Sequence, residues 1–234
     1  MKLLWVEEID LVSLGKKSST KVFSACVSIS DIASTAQDLI LRVRDTSYLS
    51  GMDFSDQQAF LAVAQPTIEK LADDIFAKVS DSVTTDFGEY LVSDSAQTLL
   101  EQQFKHAKLP LAEIIKPRKS GNEAFDFHTT SPNDVLTFGE AKYSATKSPY
   151  KNALEQIVDF INLKKDVGEL IVLKHFIKNT NAVDNAANGK KSYAAAFLIN
   201  ATDPKKILEN SLSHIDKLLD HEELYLIGVT IDGK

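Results

Sequence analysis

The stretch FDFHTTSPNDVLTFGEAKYS, residues 125–144, decides how the rest of the chain is read. Two apolar runs flank Ser-Pro-Asn-Asp at 131–134, which is turn chemistry, so the stretch reads as a hairpin. Residues i and i+2 of a strand share a face, so Glu140 and Lys142 project side by side. Centring the turn at Asn133 sets Asp126 opposite Glu140, and cross-strand partners have Cβ atoms ~5 Å apart. In that register Asp126, His128, Glu140 and Lys142 share one face, and Phe125, Phe127 and Ala141 the other. A one-residue slip would invert the assignment. Leu136 and Phe138 have the parity of Glu140, so near the turn the strand is apolar on both faces, as in a strand covered on both sides. Asp134, at the turn and far from Glu140, is read as a turn former.

Two adjacent carboxylates repel, and without a cation one tends to keep its proton. A hard divalent ion resolves the conflict: Mg²⁺ takes one or two carboxylates with waters and a phosphate oxygen, and Mn²⁺ is the expected substitute. A neighbouring lysine can orient or help activate a water beside such an ion. Acid, acid-x-lysine on a hairpin is therefore a candidate phosphodiester-hydrolysis site. The plainer reading of Glu140 and Lys142 is a local ion pair, since a short motif alone is weak.

Outward from the hairpin, a helix is expected from about Thr85–Asp86 to Lys105, using Phe87, Tyr90, Leu91, Leu99 and Leu100. LAEII at 111–115 is read as the first of three extended segments. A helix follows over Tyr150–Asp166. Residues 169–178 are ambiguous between helix and strand, and 178–191 read as a polar loop. SYAAAFLIN at 192–200 is a buried strand. Asp203-Pro204 opens a helix to 219, and ELYLIGVTID closes as a strand. Before residue 86, KVFSACVSI at 21–29 is a strand. A helix capped at Ser30 or Asp31 and a helical stretch over 55–79, interrupted at Pro66, follow it. From 86 onward the order is helix, three strands, helix, strand.

Of 234 residues, 44% are apolar and 25% charged, which fits an ordinary soluble globular protein, and the order of helices and strands makes its class mixed α/β. No apolar run nears the ~20 residues of a membrane span. MKLLWVEEID turns acidic too soon for a secretory signal. The single Cys26 excludes an internal disulfide and a cysteine-rich zinc site, and a cytoplasmic setting is the expectation. The net charge of −7 argues against a surface that binds DNA everywhere; a local basic patch or a partner subunit would be needed.

FDFH followed by FGEAK resembles the PD-(D/E)XK nuclease superfamily, whose core runs αβββαβ; the likeness spans roughly residues 86–200. It implies that Asp126 stands for the motif's aspartate and Glu140 and Lys142 for its E-x-K. Glu89, in DFGEYL, matches the extra helical glutamate that many members use at the metal. Gln156 sits where members place a polar substrate contact. Phe125 stands where the motif often has proline. Over most of the chain the sequence is also similar to the HamA family, nuclease subunits of the Hachiman anti-phage system that act with a helicase, HamB. The resemblance implies a metal-dependent deoxyribonuclease core at 86–234. Residues 1–85 would be an α/β elaboration that docks a partner.

Each residue also has a plainer reading. Glu89 can be a first-turn acid favoured by the helix dipole. His128 can be a satisfied or a substrate-facing histidine. Gln156 borders the polar stripe of Lys151, Glu155, Asp159 and Asn162. Lys116, Arg118 and Lys119 can form a phosphate-binding edge or an ordinary charged loop. His175, with Lys174 and Lys178, reads as solvated surface. The rival to the nuclease is a non-catalytic nucleic-acid-binding or assembly subunit that keeps the fold.

Overall fold

A computed structural model of the chain describes residues 1–80, 82–115 and 124–232. In chain order the elements are β1 (Lys2–Glu8), β2 (Lys21–Ile29), α1 (Ile32–Arg44), α2 (Phe54–Glu69), α3 (Thr85–Phe104), β3 (Ala107–Lys108), α4 (Ala112–Ile115), β4 (Phe127–Thr130), β5 (Leu136–Lys142), α5 (Tyr150–Asn162), α6 (Lys165–Leu173), α7 (Asn181–Ala187), β6 (Lys191–Leu198), α8 (Pro204–Ser211) and β7 (Glu223–Ile231). Among the described residues seven strands form one sheet, in the order β1-β2-β7-β6-β5-β4-β3. The inner strands β2, β7, β6 and β5 are parallel, and β1, β4 and β3 add antiparallel to the edges. Strands from both sides of residue 85 thus belong to one sheet.

Both faces are covered, which is why the parallel strands read as apolar runs with little alternation. On one face α1 and α3 pack Leu39, Phe87 and Leu91 against Phe127, Ala141, Ala194 and Ile227. On the other, α5 and α6 pack Leu154, Ile157, Phe160 and Leu170 against Phe138, Tyr193, Phe197 and Leu226. Side-chain caps start three of the helices. Asp31 accepts from Ser34 N (2.8 Å), Thr84 from Phe87 N (3.2 Å) and Asp203 from Lys206 N (3.1 Å).

The helix–three strands–helix–strand order from 86 onward is met by α3, β3, β4, β5, α5 and β6. Several details differ from the sequence reading. LAEII is helical, because Leu111, Ala112, Ile114 and Ile115 are buried on a turn and do not alternate; the first strand of the meander is instead β3, paired through Ala107↔Thr130 and Lys108↔Thr129. KLLWVEE, not read as a strand, is the exposed edge strand β1. Pro66 does not break α2; the helix runs to Glu69 and then widens into a π segment, Lys70–Ile75. Lys164, at φ +55, ends the helix begun at Tyr150, and α6 makes 165–173 helical. The polar loop at 178–191 contains α7, anchored by buried Ala182 and Ala186. The helix opened by Asp203-Pro204 ends at Ser211 and gives way to 3-10 turns at Leu212–His214 and Asp216–Leu218.

Candidate active site

The hairpin forms in the register read from the turn. Phe127 pairs with Gly139 and His128 with Phe138, and Asp126, one residue before the strand, lies close enough to Glu140 for the two carboxylates to act on each other. Asp126 N–H donates to Gly139 O (2.9 Å). Ser131 holds the turn: its Oγ accepts from Asn133 N (3.3 Å) and Val135 N (3.2 Å). Asp134 has φ +58, and its carbonyl accepts from Asn185 Nδ2 (2.9 Å), so it is a turn residue remote from Glu140.

The strand begins only at Phe127 and does not include Asp126. The chain bends there, and the Asp126 carboxylate, through Oδ2, accepts from Ala141 N (2.8 Å). A side chain thereby takes over from the backbone ladder at the mouth of the hairpin. The bend corrects the expected parity of Phe125. Its ring lies with Phe138 (5.3 Å) and Phe160 (5.1 Å) on the α5 face, whereas Phe127 packs on the α3 face.

Glu140 has no exposed surface. Its Oε1 accepts from Lys142 Nζ (2.6 Å), and its Oε2 is buried with no hydrogen-bond partner among the described residues. Burial pushes the Glu140 carboxyl well above the usual range, the Asp126 charge pushes it further, and Lys142 offsets only part. Burial alone would lower Lys142, but attraction from Glu140, Asp126 and Glu89 outweighs it, so the ammonium is held charged.

Glu89 approaches from the other side of the strand end. Its Oε1 is 3.9 Å from Lys142 Nζ, and half its side chain is exposed. Partial burial raises its carboxyl, Lys142 lowers it and Asp126 raises it again. Gly88 brings α3 this close: a Cβ there would lie 2.1 Å from Cγ of Tyr143, just beyond β5. Tyr143 OH in turn donates to Val83 O (3.2 Å), tying β5 to the start of α3.

The sequence pattern of the HamA family matches residues 1–234, the whole chain. The chain belongs to the HamA family. No curated protein matches it. Membership suggests a role in the Hachiman defence system. Among the described residues, no helix is long and apolar enough to cross a membrane.

In this HamA-family chain, no group of three His, Cys, Asp or Glu side chains among the described residues is assembled to hold a metal ion. The donors that do meet are two hard oxygen ligands, the buried Oε2 of Glu140 and the Asp126 carboxylate, with Glu89 standing off across Lys142. That set fits Mg²⁺ or Mn²⁺, which keep several waters and need few protein ligands. It does not fit a cage of three or more side chains.

The other candidates separate. His128 has the expected parity but is fully buried, and its Nε2 lies 2.6 Å from Glu169 Oε2, so it is a packed residue that meets no substrate in this conformation. Gln156 is half-buried on α5 and makes no hydrogen bond to the acids among the described residues. Lys116, Arg118 and Lys119 lie outside the described residues. His175 lines an apolar groove with Phe60, Val63 and Phe176. The residue missed by sequence is Glu169, which also accepts from Phe125 N (2.9 Å). Read as a helix, 165–173 puts Asp166, Glu169, Leu170 and Leu173 on one face. Two acids among inward apolar positions were the available signal.

Proposed function

We propose that this HamA-family chain is a metal-dependent nuclease that cuts DNA. It would be the effector subunit of an anti-phage complex working with a helicase in the cytoplasm. The observation that carries the reading is the buried, unpartnered Oε2 of Glu140 set against a second carboxylate, Asp126, with a charged lysine alongside. A buried carboxylate oxygen without a partner is costly, and a bound cation removes that cost.

Asp126 and Glu140 would hold Mg²⁺ or Mn²⁺, with Glu89 joining directly or through water. The ion would supply the positive charge that polarises the scissile phosphate. Asp126 is fixed by its bond to Ala141 N, so its carboxylate is oriented before any ligand arrives. Lys142 keeps a proton on Nζ and can orient the attacking water or hold a phosphate oxygen. Gln156 and the basic stretch Lys116, Arg118 and Lys119 are the proposed contacts to the rest of the DNA. With a net charge of −7, delivery by a partner docked partly on residues 1–85 explains binding better than solitary affinity.

The rival reading, a non-catalytic subunit retaining this fold, is favoured by one feature: Lys142 is already paired with Glu140 at 2.6 Å. The deciding experiment incubates purified protein, with and without its genomic neighbour's product, with linear, circular and single-stranded DNA and Mg²⁺. Lys142→Ala is expected to lose cleavage while DNA and metal binding stay within a few-fold. Cleavage at the wild-type rate would leave only the ion pair.

A further inference from the structure

Helix α6 faces the sheet with two acids one turn apart, and they hold different things. Asp166 pairs with Lys191 and accepts from Tyr193 OH (2.7 Å), so it ties the helix to β6. Glu169 reaches the segment that leads into the hairpin. Its Oε1 accepts from Phe125 N–H (2.9 Å), and its Oε2 takes the Nε2–H of His128 (2.6 Å). The carboxylate is nine-tenths buried and the imidazole wholly so, which places both bonds out of competition with water.

These two bonds bracket Asp126, one residue before it and two after. The bend at Asp126 is the point where the ladder to β5 stops and the side chain replaces it. A segment that has left its ladder needs another restraint to keep one conformation, and Glu169 supplies the bond to Phe125 N–H that β5 does not make. We infer that Glu169 is a positioning residue: by gripping Phe125 N–H and His128 together, it fixes the backbone bend that aims the Asp126 carboxylate across at Glu140. The inference about metal binding rests on the reading of Asp126 and Glu140 as ion ligands. The inference about the bend does not.

The test uses the full chain and two readouts: amide hydrogen exchange at Phe125 and Asp126, followed by NMR, and Mn²⁺ affinity by calorimetry. Glu169→Ala should speed exchange at both amides and weaken Mn²⁺ about tenfold or more, as loss of an outer-shell partner does. Glu169→Gln should recover most of both. Its amide oxygen can still accept from Phe125 N–H, and its NH₂ can donate to the other His128 tautomer. Asp166→Asn is the control on the same helix: it should lower the melting temperature yet leave Mn²⁺ affinity and the two amides as in wild type. Should Glu169→Ala not fold, Glu169→Asp keeps the charge but is too short to span both partners, and it should show the same two losses. Wild-type exchange at Phe125 and Asp126 in the Ala or Asp variant overturns the positioning role. Wild-type Mn²⁺ affinity with accelerated exchange overturns the link from bend to ion. If the wild-type chain itself binds no Mn²⁺, the ligand reading fails, and the exchange data still decide the role of Glu169.

Discussion

Two buried carboxylates, each beside a lysine, sit in surroundings that could hardly differ more. Asp166 is fully employed: Oδ2 takes Lys191 and the Tyr193 hydroxyl, and Oδ1 accepts from Val167 N (2.9 Å). Glu140 is not: one oxygen meets Lys142, the other has no hydrogen-bond partner among the described residues, and the Asp126 carboxylate lies against the group. The first arrangement balances its charge inside the protein, as a structural pair must if it is not to destabilise the fold. The second sets a buried oxygen that has no hydrogen-bond partner among the described residues beside another carboxylate, a conflict that a proton kept on Glu140 or a bound cation relieves. An acid of the first kind belongs to the fold. One of the second kind is the candidate for holding a ligand.

Mutating the two acids should therefore give opposite results, and the Asp166 site should give the larger change in stability. Asp166→Ala leaves Lys191 buried without its partner and Tyr193 OH unpaired. Breaking a buried pair from one side typically costs about 3–5 kcal/mol, so the expected outcome in urea unfolding is a loss of that order. Glu140→Gln removes a repulsion and should leave stability in EDTA within about 1 kcal/mol of wild type. The same variant, and Asp126→Asn with it, should lose divalent-ion binding in calorimetry and cleavage by about 100-fold or more, since the ion's charge stabilisation goes with it. If Glu140→Gln unfolds like Asp166→Ala while keeping the ion, the comparison is wrong and Glu140 is a structural acid.

A smaller effect sharpens where the ligand side of the comparison ends. Gly88 has the Tyr143 ring where a Cβ would go, 2.1 Å away. Gly88→Ala must push α3 and β5 apart, which overpacking data put at about 1–3 kcal/mol, and it carries Glu89 away from Lys142. Ion affinity should fall along with stability. Glu89→Gln, which moves nothing, should weaken the ion without a change in unfolding. If Glu89→Gln binds the ion as wild type does, Glu89 is only a half-exposed acid of α3 and the site is the hairpin alone.

Much of this hairpin was legible because its rules are local. The Ser-Pro-Asn-Asp turn set the register, which the structure keeps from Phe127 to Thr130, and Asp126 lies against Glu140 as that register implies. What sequence could not supply came from elsewhere in the chain. The alternation rule placed Phe125 with Phe127, but the bend at Asp126 and the grip of Glu169, 44 residues on, turn it to the opposite face. His128 was exposed or buried according to what α6 brought against it, and α6 itself was ambiguous from ELIVLKHFIK. β1 was hidden because an exposed edge strand shows no clean apolar alternation. α7 was hidden because two buried alanines in a polar stretch carry little signal.

The smallest effect concerns a third kind of buried polar group, neutral and satisfied, on the α3 face of the sheet. His106 is almost wholly buried. Its Nδ1 meets Thr129 Oγ1 (2.8 Å), its Nε2 meets Tyr225 OH (3.3 Å), and Tyr225 OH also reaches Glu223 Oε2 (2.6 Å). Burial pushes the imidazole down to about 4, so the folded protein holds it neutral. In the unfolded chain the ordinary value of 6.5 applies. The depressed folded value means that its stabilising effect is complete above 6.5 and is lost as pH falls from there towards 4, because the unfolded state then binds the extra proton. Between pH 7 and 5.5 that loss is about 1 kcal/mol. His106→Gln should be less stable than wild type at pH 7, but its unfolding free energy should fall less over the same interval, by about that amount. Urea titrations of both proteins at the two pH values measure it. Parallel pH slopes would mean that His106 titrates alike in both states, and that its burial in this network does not hold it neutral.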